Sequence, residues 1–276
     1  MRTIPTLAAL AMVVGALFFS SSAHAGGTES LYRPALAYPP APAPAQQAWR
    51  RYRFRVELEA GPVWQTRNDA RVPGTTGTDV DIADLTGNGP FPYGRITFDG
   101  RVARKHGIRA LVAPLEISGT GQLPGPTRFN GQLFAPGIPT KATYRFNSYR
   151  LSYRYFLVDR PRWTATVGVT VKIRDALTKL EQFGQSSKKT DLGVVPLLHL
   201  DTTWRFADRW SLYADLDGWA VPQGRAFDFS VKLYYDLSAR WSLGVGYRMI
   251  EGGADVDSVY TFAWFHQGVV ALSFRF

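Results

Sequence analysis

Between residues 52 and 276 the chain alternates apolar and polar residues in ten successive runs. Alternation with period two predicts strands that show one apolar and one polar face. In the first run, 52–66, Tyr52, Phe54, Val56, Leu58 and Ala60 share one face, and Arg53, Arg55, Glu57 and Glu59 share the other. Further runs fall at 91–103, 108–119, 142–158, 163–177, 194–206, 210–220, 226–237 and 241–251. The third of these admits either phase. Placing Leu111, Ala113, Leu115 and Ile117 on the apolar face sends Glu116 to the polar one. The last run, 259–276, carries Val270, Leu272, Phe274 and Phe276 on its apolar face and ends the chain.

The connections differ in length. Residues 104–107, 159–162, 207–209 and 238–240 are short, whereas 67–90, 120–141 and 179–193 are long. Short turns at one end and longer loops at the other are how membrane barrels are built, with the short turns on the periplasmic side. Trp163, Trp204, Trp210 and Trp241 flank the short turns, and Trp64, Trp219, Phe262 and Trp264 lie at the opposite strand ends. Two aromatic bands suit two lipid–water interfaces. A soluble β-sandwich also alternates, but has no reason to band its tryptophans. The predicted fold is all-β, a transmembrane antiparallel up-and-down barrel of about ten strands, with eight or twelve as the alternatives.

The N-terminus changes the destination. Arg2, an apolar stretch from Leu7 to Phe19 and Ala23-His24-Ala25 make residues 1–25 a cleavable secretory signal. Residues 26–50 are rich in Pro and Ala, an extended segment expected in the periplasm. The barrel is expected over 51–276. The chain has no Cys, which excludes disulfides and thiolate metal sites. Outside the signal no run is long and apolar enough for a spanning helix. A membrane fate therefore requires a closed barrel, since only helices and barrels satisfy every backbone group in lipid. A mean hydropathy of −0.14 agrees, because half of each strand faces water.

The terminal Ser-Phe-Arg-Phe on an alternating strand resembles the closing strand of small outer-membrane β-barrel proteins of Gram-negative bacteria. The resemblance covers residues from about 50 to the end. It implies an outer-membrane location and insertion by the barrel-assembly machinery, with Phe274 and Phe276 in the signal that machinery reads. It implies no activity.

Ten strands make a narrow bore that side chains can fill. The charges expected to line it are Glu57, Glu59, Asp201 and Asp215 against Arg150, Arg154, Lys172, Arg174, Lys232 and Arg248. Charges removed from water must pair, so a mutually paired network and a plugged lumen are expected. Nearer the periplasmic mouth, Arg53, Arg101, Arg154, Arg205 and Arg275 outnumber Asp99 and Asp236. That excess favours anions, although pairing with nearby carboxylates is the plainer reading. The formal charge of +10 suits anionic lipopolysaccharide and outer-membrane lipid as partners, with Arg67, Arg71, Lys179, Lys188 and Lys189 as contacts; an exported barrel has no nucleic-acid partner.

Chemistry is sparse. His199 and Asp201 share a strand face and are the candidates for a general base with its carboxylate. Satisfaction within the lumenal network is the favoured reading. Omptin proteases and lipid A deacylases are outer-membrane enzymes, but neither one's motif is matched. Asp79, Asp81 and Asp84 offer oxygen ligands for calcium, without the spacing or terminal Glu of an EF-hand loop. No cofactor or metal is expected. The expected role is structural or surface-interacting. The alternatives are a narrow channel for small solutes or ions, and a hydrolase acting on lipid A or peptides.

Overall fold

The structure, a computed structural model, describes residues 52–276, so the expected signal at 1–25 and the Pro-rich segment at 26–50 lie outside the described residues. In chain order the elements are β1 (Phe54–Arg71), β2 (Val80–Asp81), α1 (Ile82–Thr86), β3 (Phe91–Ala103), β4 (His106–Ala113) and β5 (Glu116–Gln122). A small hairpin follows, β6 (Thr127–Phe129) and β7 (Gln132–Phe134). Then come β8 (Pro139–Asp159), β9 (Trp163–Gln182), β10 (Gln185–Trp204), β11 (Trp210–Val221), β12 (Gly224–Asp236), β13 (Trp241–Val256) and β14 (Val259–Arg275). Among the described residues, β1, β3, the broken strand β4/β5 and β8 to β14 form ten antiparallel staves. Strand β14 pairs with β1 from Arg55↔Arg275 up to Arg71↔Tyr260 and closes the barrel. The last rung is Phe276, whose N–H donates to the Phe54 carbonyl at 3.0 Å while Phe54 N–H donates back at 3.1 Å. Closure leaves no strand edge for lipid to meet.

Facing follows the alternation on nine staves. Leu58, Ile96, Leu151, Val169, Val171, Val245 and Val270 are exposed on the outside. Water would not tolerate so continuous an apolar surface; a bilayer does. Trp204, Trp210 and Trp241 are exposed at one end of this belt, and Trp64 and Trp219 at the other. Phe262 departs from the expected outer band. It is buried, covered by the Arg67 and Arg225 guanidinium groups at 5.2 and 4.9 Å from its ring.

The third stave reverses the expected phase. Leu111, Leu115 and Ile117 point inward and are buried, while Val112 and Glu116 are exposed outside. Two things set this phase. Arg109, also inward, reaches Asp99 at 2.7 Å, and Leu115 and Ile117 join an apolar cluster in the upper lumen. Pro114 lies in the gap between β4 and β5 and has no N–H to offer a ladder.

Two predicted loops, and the join before the last run, are more ordered than expected. Residues 179–193 are mostly strand: β9 and β10 pair to Gln182↔Gln185, with Phe183 and Gly184 at φ 47° and 78° forming the turn. Above the membrane both faces meet water, so the ladder continues without the hydropathy alternation that reveals strands in lipid. In the loop 67–90 a short helix, α1, begins just after Asp81. The Asp81 side chain accepts from the N–H groups of Ala83 and Asp84 at 2.8 and 3.2 Å, an N-cap that favours helix over strand. Residues 252–256 continue β13.

Helix α1 packs against β5 where glycine is needed. A Cβ at Gly119 would meet Thr86 Cα at 2.6 Å, and one at Gly121 would meet Leu85 Cα at 2.8 Å. Ile82 and Leu85 thereby join Val63, Ile117, Tyr144, Leu180 and Phe265, with Phe129 and Phe134 from the β6–β7 hairpin. The upper lumen is filled by hydrocarbon where the alternation promised a polar interior throughout.

Candidate functional site

Below this apolar cluster the inward positions carry charge, and the register of neighbouring staves decides who meets whom. Asp201 lies opposite Asp215 across the β10–β11 pair, and Asp217 opposite Asp228 across β11–β12. Like charges so placed repel, so cations from the far wall must come between them. Arg150 of β8 spans the second pair, donating Nη1 to Asp217 and Nη2 to Asp228, both at 2.7 Å. Arg95 donates to Asp228 at 3.0 Å, and Arg248 to the same carboxylate. Arg248 continues to Glu59 at 3.2 Å. Lys232 bridges Glu59 and Glu57, both at 2.6 Å, and Tyr234 donates to Glu57 at 2.6 Å. Arg55 links Glu57, at 3.4 Å, to Asp99, at 2.6 Å. Asp99 also accepts from Arg109 and Arg154, both at 2.7 Å. Arg154 reaches on to Asp201 at 2.8 Å. Asp215 lies 3.9 Å from Arg109 and 3.7 Å from Arg248 and accepts from Ser230.

Seven carboxylates thus meet seven Lys and Arg side chains in one connected ring across the bore. His199 completes it. Its Nδ1 lies 2.7 Å from Asp217 and its Nε2 2.9 Å from Asp201, and the ring is fully buried. A general base needs a free nitrogen within reach of substrate. Here both nitrogens face carboxylates, so the geometry gives His199 a bridging role. His199→Leu should lower stability by about 1–3 kcal/mol, the cost of leaving buried acceptors short of a donor. The urea midpoint of the refolded barrel measures it, and an unchanged midpoint would refute the bridge.

Of the residues expected in the lumenal network, the structure brings together Glu57, Glu59, Arg150, Arg154, Asp201, Asp215, Lys232 and Arg248. Two lie apart. Arg174 pairs with Asp191, nearer the long-loop end. Lys172 is buried, but its Nζ sits 4.5 Å above the Phe146 ring, with no carboxylate within ion-pair distance among the described residues. Arg109 carries no signal in the alternation, because residues 108–119 admit either phase and only its contact with Asp99 marks it as inward. Asp217 and Asp228 lie on faces the alternation made polar, but their central place comes from cross-strand register. Two of the three aspartates proposed as calcium ligands are otherwise engaged: Asp81 caps α1, and Asp79 pairs with Arg71 at 3.4 Å. Burial at the head of α1 pushes the Asp81 carboxyl above its ordinary value. Among the described residues no cluster of His and carboxylate side chains stands in metal-binding array.

A closed ladder, an apolar exterior with aromatic bands and a charge-paired interior define a transmembrane β-barrel of ten strands. No protein-family model matches the chain, and no curated protein sequence does. Among solved structures it is similar to the outer membrane protease OmpT from Escherichia coli, at 10% identity over 81% of this chain and 97% of that one, with a TM-score of 0.47. It is also similar to the attachment invasion locus protein Ail of Yersinia pestis, at 6% identity over 79% and 99% with a TM-score of 0.33. Neisserial surface protein A shows 12% identity over 81% and 97% with a TM-score of 0.34.

Proposed function

We propose that the protein is an outer-membrane barrel closed to solute flow, whose role is structural and surface-interacting. The observation that carries this reading is the double obstruction of the bore. The ion-paired ring spans it, and the apolar cluster fills it above. A conducting path would have to break several buried ion pairs and reopen a packed core. Removing one partner of a single buried pair already costs about 3–5 kcal/mol.

The extracellular side offers the surface. Strands β8, β9 and β10 run 21, 20 and 20 residues, against 12 and 13 for β11 and β12. The wall therefore rises higher on one side, as a blade whose tip shows a largely exposed Phe183 and, just below it, Lys188. Lys179 pairs with Glu181 at 2.6 Å, Arg67 with Asp69 at 2.5 Å and Arg71 with Asp79, so Lys188 and Lys189 are the blade's better contacts for lipopolysaccharide phosphate. Insertion by the barrel-assembly machinery, reading Phe274 and Phe276, belongs to the same proposal.

Planar-bilayer recording tests the closed bore. Well-folded protein should insert and give no discrete current steps. Reproducible steps that vanish with a lumen-plugging substitution such as Ser152→Trp would overturn the reading in favour of a narrow channel.

A further inference from the structure

Beneath the ion-paired ring the barrel opens into a cavity of about 490 Å³ at the short-turn end. Its roof is Arg154, held between Asp99 and Asp201. Among the described residues eight arginines line it against only those two carboxylates. Both carboxylates are already committed upward, Asp99 also to Arg55 and Arg109 and Asp201 also to His199. Arg205 and Arg275 share one further aspartate, Asp236, at 2.7 and 3.1 Å. Arg101 pairs with Asp159 at 2.9 Å, and its guanidinium lies 3.9 Å over the Phe156 ring. Arg53, Arg104 and Arg162 line the cavity with no carboxylate partner among the described residues. They come from three separate segments: the approach to β1, the β3–β4 turn and the β8–β9 turn.

We propose that this periplasmic mouth binds a small soluble polyanion, one that carries two or more phosphate or carboxylate groups. The size is that of a small-molecule site. Guanidinium forks match phosphate and carboxylate oxygens and hold them by charge-assisted hydrogen bonds. One negative charge would satisfy one rim arginine; three exposed arginines around a single cavity call for a multiply charged solute. Arg154 and Arg205, both more than nine-tenths buried, anchor the inner wall. The chain's own N-terminal segment is a poor occupant, since residues 26–51 carry Glu29 against Arg33, Arg50 and Arg51. The closed roof makes the site a receptor pocket and not a stage of transport. Its placement on the periplasmic side rests on the outer-membrane reading; binding itself does not. A barrel found to conduct would overturn the closed bore and leave this site standing.

Isothermal titration of the full chain, refolded in zwitterionic detergent, tests it with inorganic pyrophosphate and with citrate. The expected result is saturable binding of one anion per barrel that weakens as salt is raised. The variant Arg53→Gln/Arg104→Gln/Arg162→Gln should bind about tenfold more weakly or worse, having lost its charge-assisted contacts. None of the three belongs to the buried ring, so its urea midpoint should match the wild type and separate binding from folding. Absence of saturable heat with both anions overturns the proposal, as does a variant that binds like the wild type. Nanodiscs distinguish the source of the anion. Pyrophosphate should bind in phosphatidylcholine discs; capture of phosphatidylglycerol with no binding of either soluble probe overturns the proposal in favour of a lipid headgroup.

Discussion

Asp228→Leu is expected to destabilise the barrel by about 3–5 kcal/mol, the range for removing one partner from a buried ion pair. Asp228 is 2% exposed and takes hydrogen bonds from three guanidinium groups, those of Arg95, Arg150 and Arg248. Arg150 retains Asp217 and Arg248 retains Glu59, but Arg95 has no other carboxylate partner among the described residues. Leucine fills the space and supplies no charge, so one guanidinium is left buried and two are left half-satisfied. The urea midpoint of the refolded protein, with the gel-mobility shift of folded barrels as a second readout, measures the loss. A second change separates pairing from packing. Arg95→Met placed on Asp228→Leu should recover part of the stability, because it removes the stranded cation. A single variant within about 1 kcal/mol of wild type, the worth of an exposed pair, would show that the ring is not coupled as its geometry states.

Loss of the last residue should act on biogenesis more than on the finished barrel. Phe276 contributes two things that variants can part. Its backbone makes the final rung with Phe54. Its ring stacks on Phe274 at 5.8 Å, lies tilted at 5.7 Å from Phe54, and is about half exposed at 47%. Phe276→Ala keeps the rung and loses the ring, whereas deletion loses both. Truncating a half-exposed ring costs the refolded barrel about 1 kcal/mol by area. If the assembly machinery reads the ring, Phe276→Ala should lower the amount of folded protein in the outer membrane nearly as far as deletion does. The refolded alanine variant should keep a urea midpoint near that of wild type. Wild-type membrane levels of Phe276→Ala would remove the signal role and leave Phe276 as a closing rung.

The two expectations rest on information of different origin. Phe276 was legible at once, as a terminal aromatic on a strand whose period is two. So were the faces of Glu57, Glu59, Arg150, Asp201 and Lys232, because lipid on one side and a polar bore on the other force strict alternation. The third stave defeated that logic. Residues 108–119 carry apolar side chains in both phases, and the choice was made by Arg109 meeting Asp99 and by Leu115 and Ile117 meeting the apolar cluster. Residues 179–193 hide their strands for the opposite reason: above the bilayer water lies on both faces, and a well-paired ladder leaves no hydropathy signature.

The sequence by itself determined a membrane barrel of about ten strands, the inward face of nine of them and the charged character of the lower bore, because a bilayer imposes one simple rule on every spanning residue. Partnership was decided only by the tertiary structure. Stagger between strands places Asp217 against Asp228 and sends Arg150 from another stave between them. It leaves Lys172 over Phe146, and it gathers Arg53, Arg104 and Arg162 from three distant segments around one cavity. Alternation says which way a side chain points. Which charges meet depends on closing the barrel, and that is a relation among all ten strands at once.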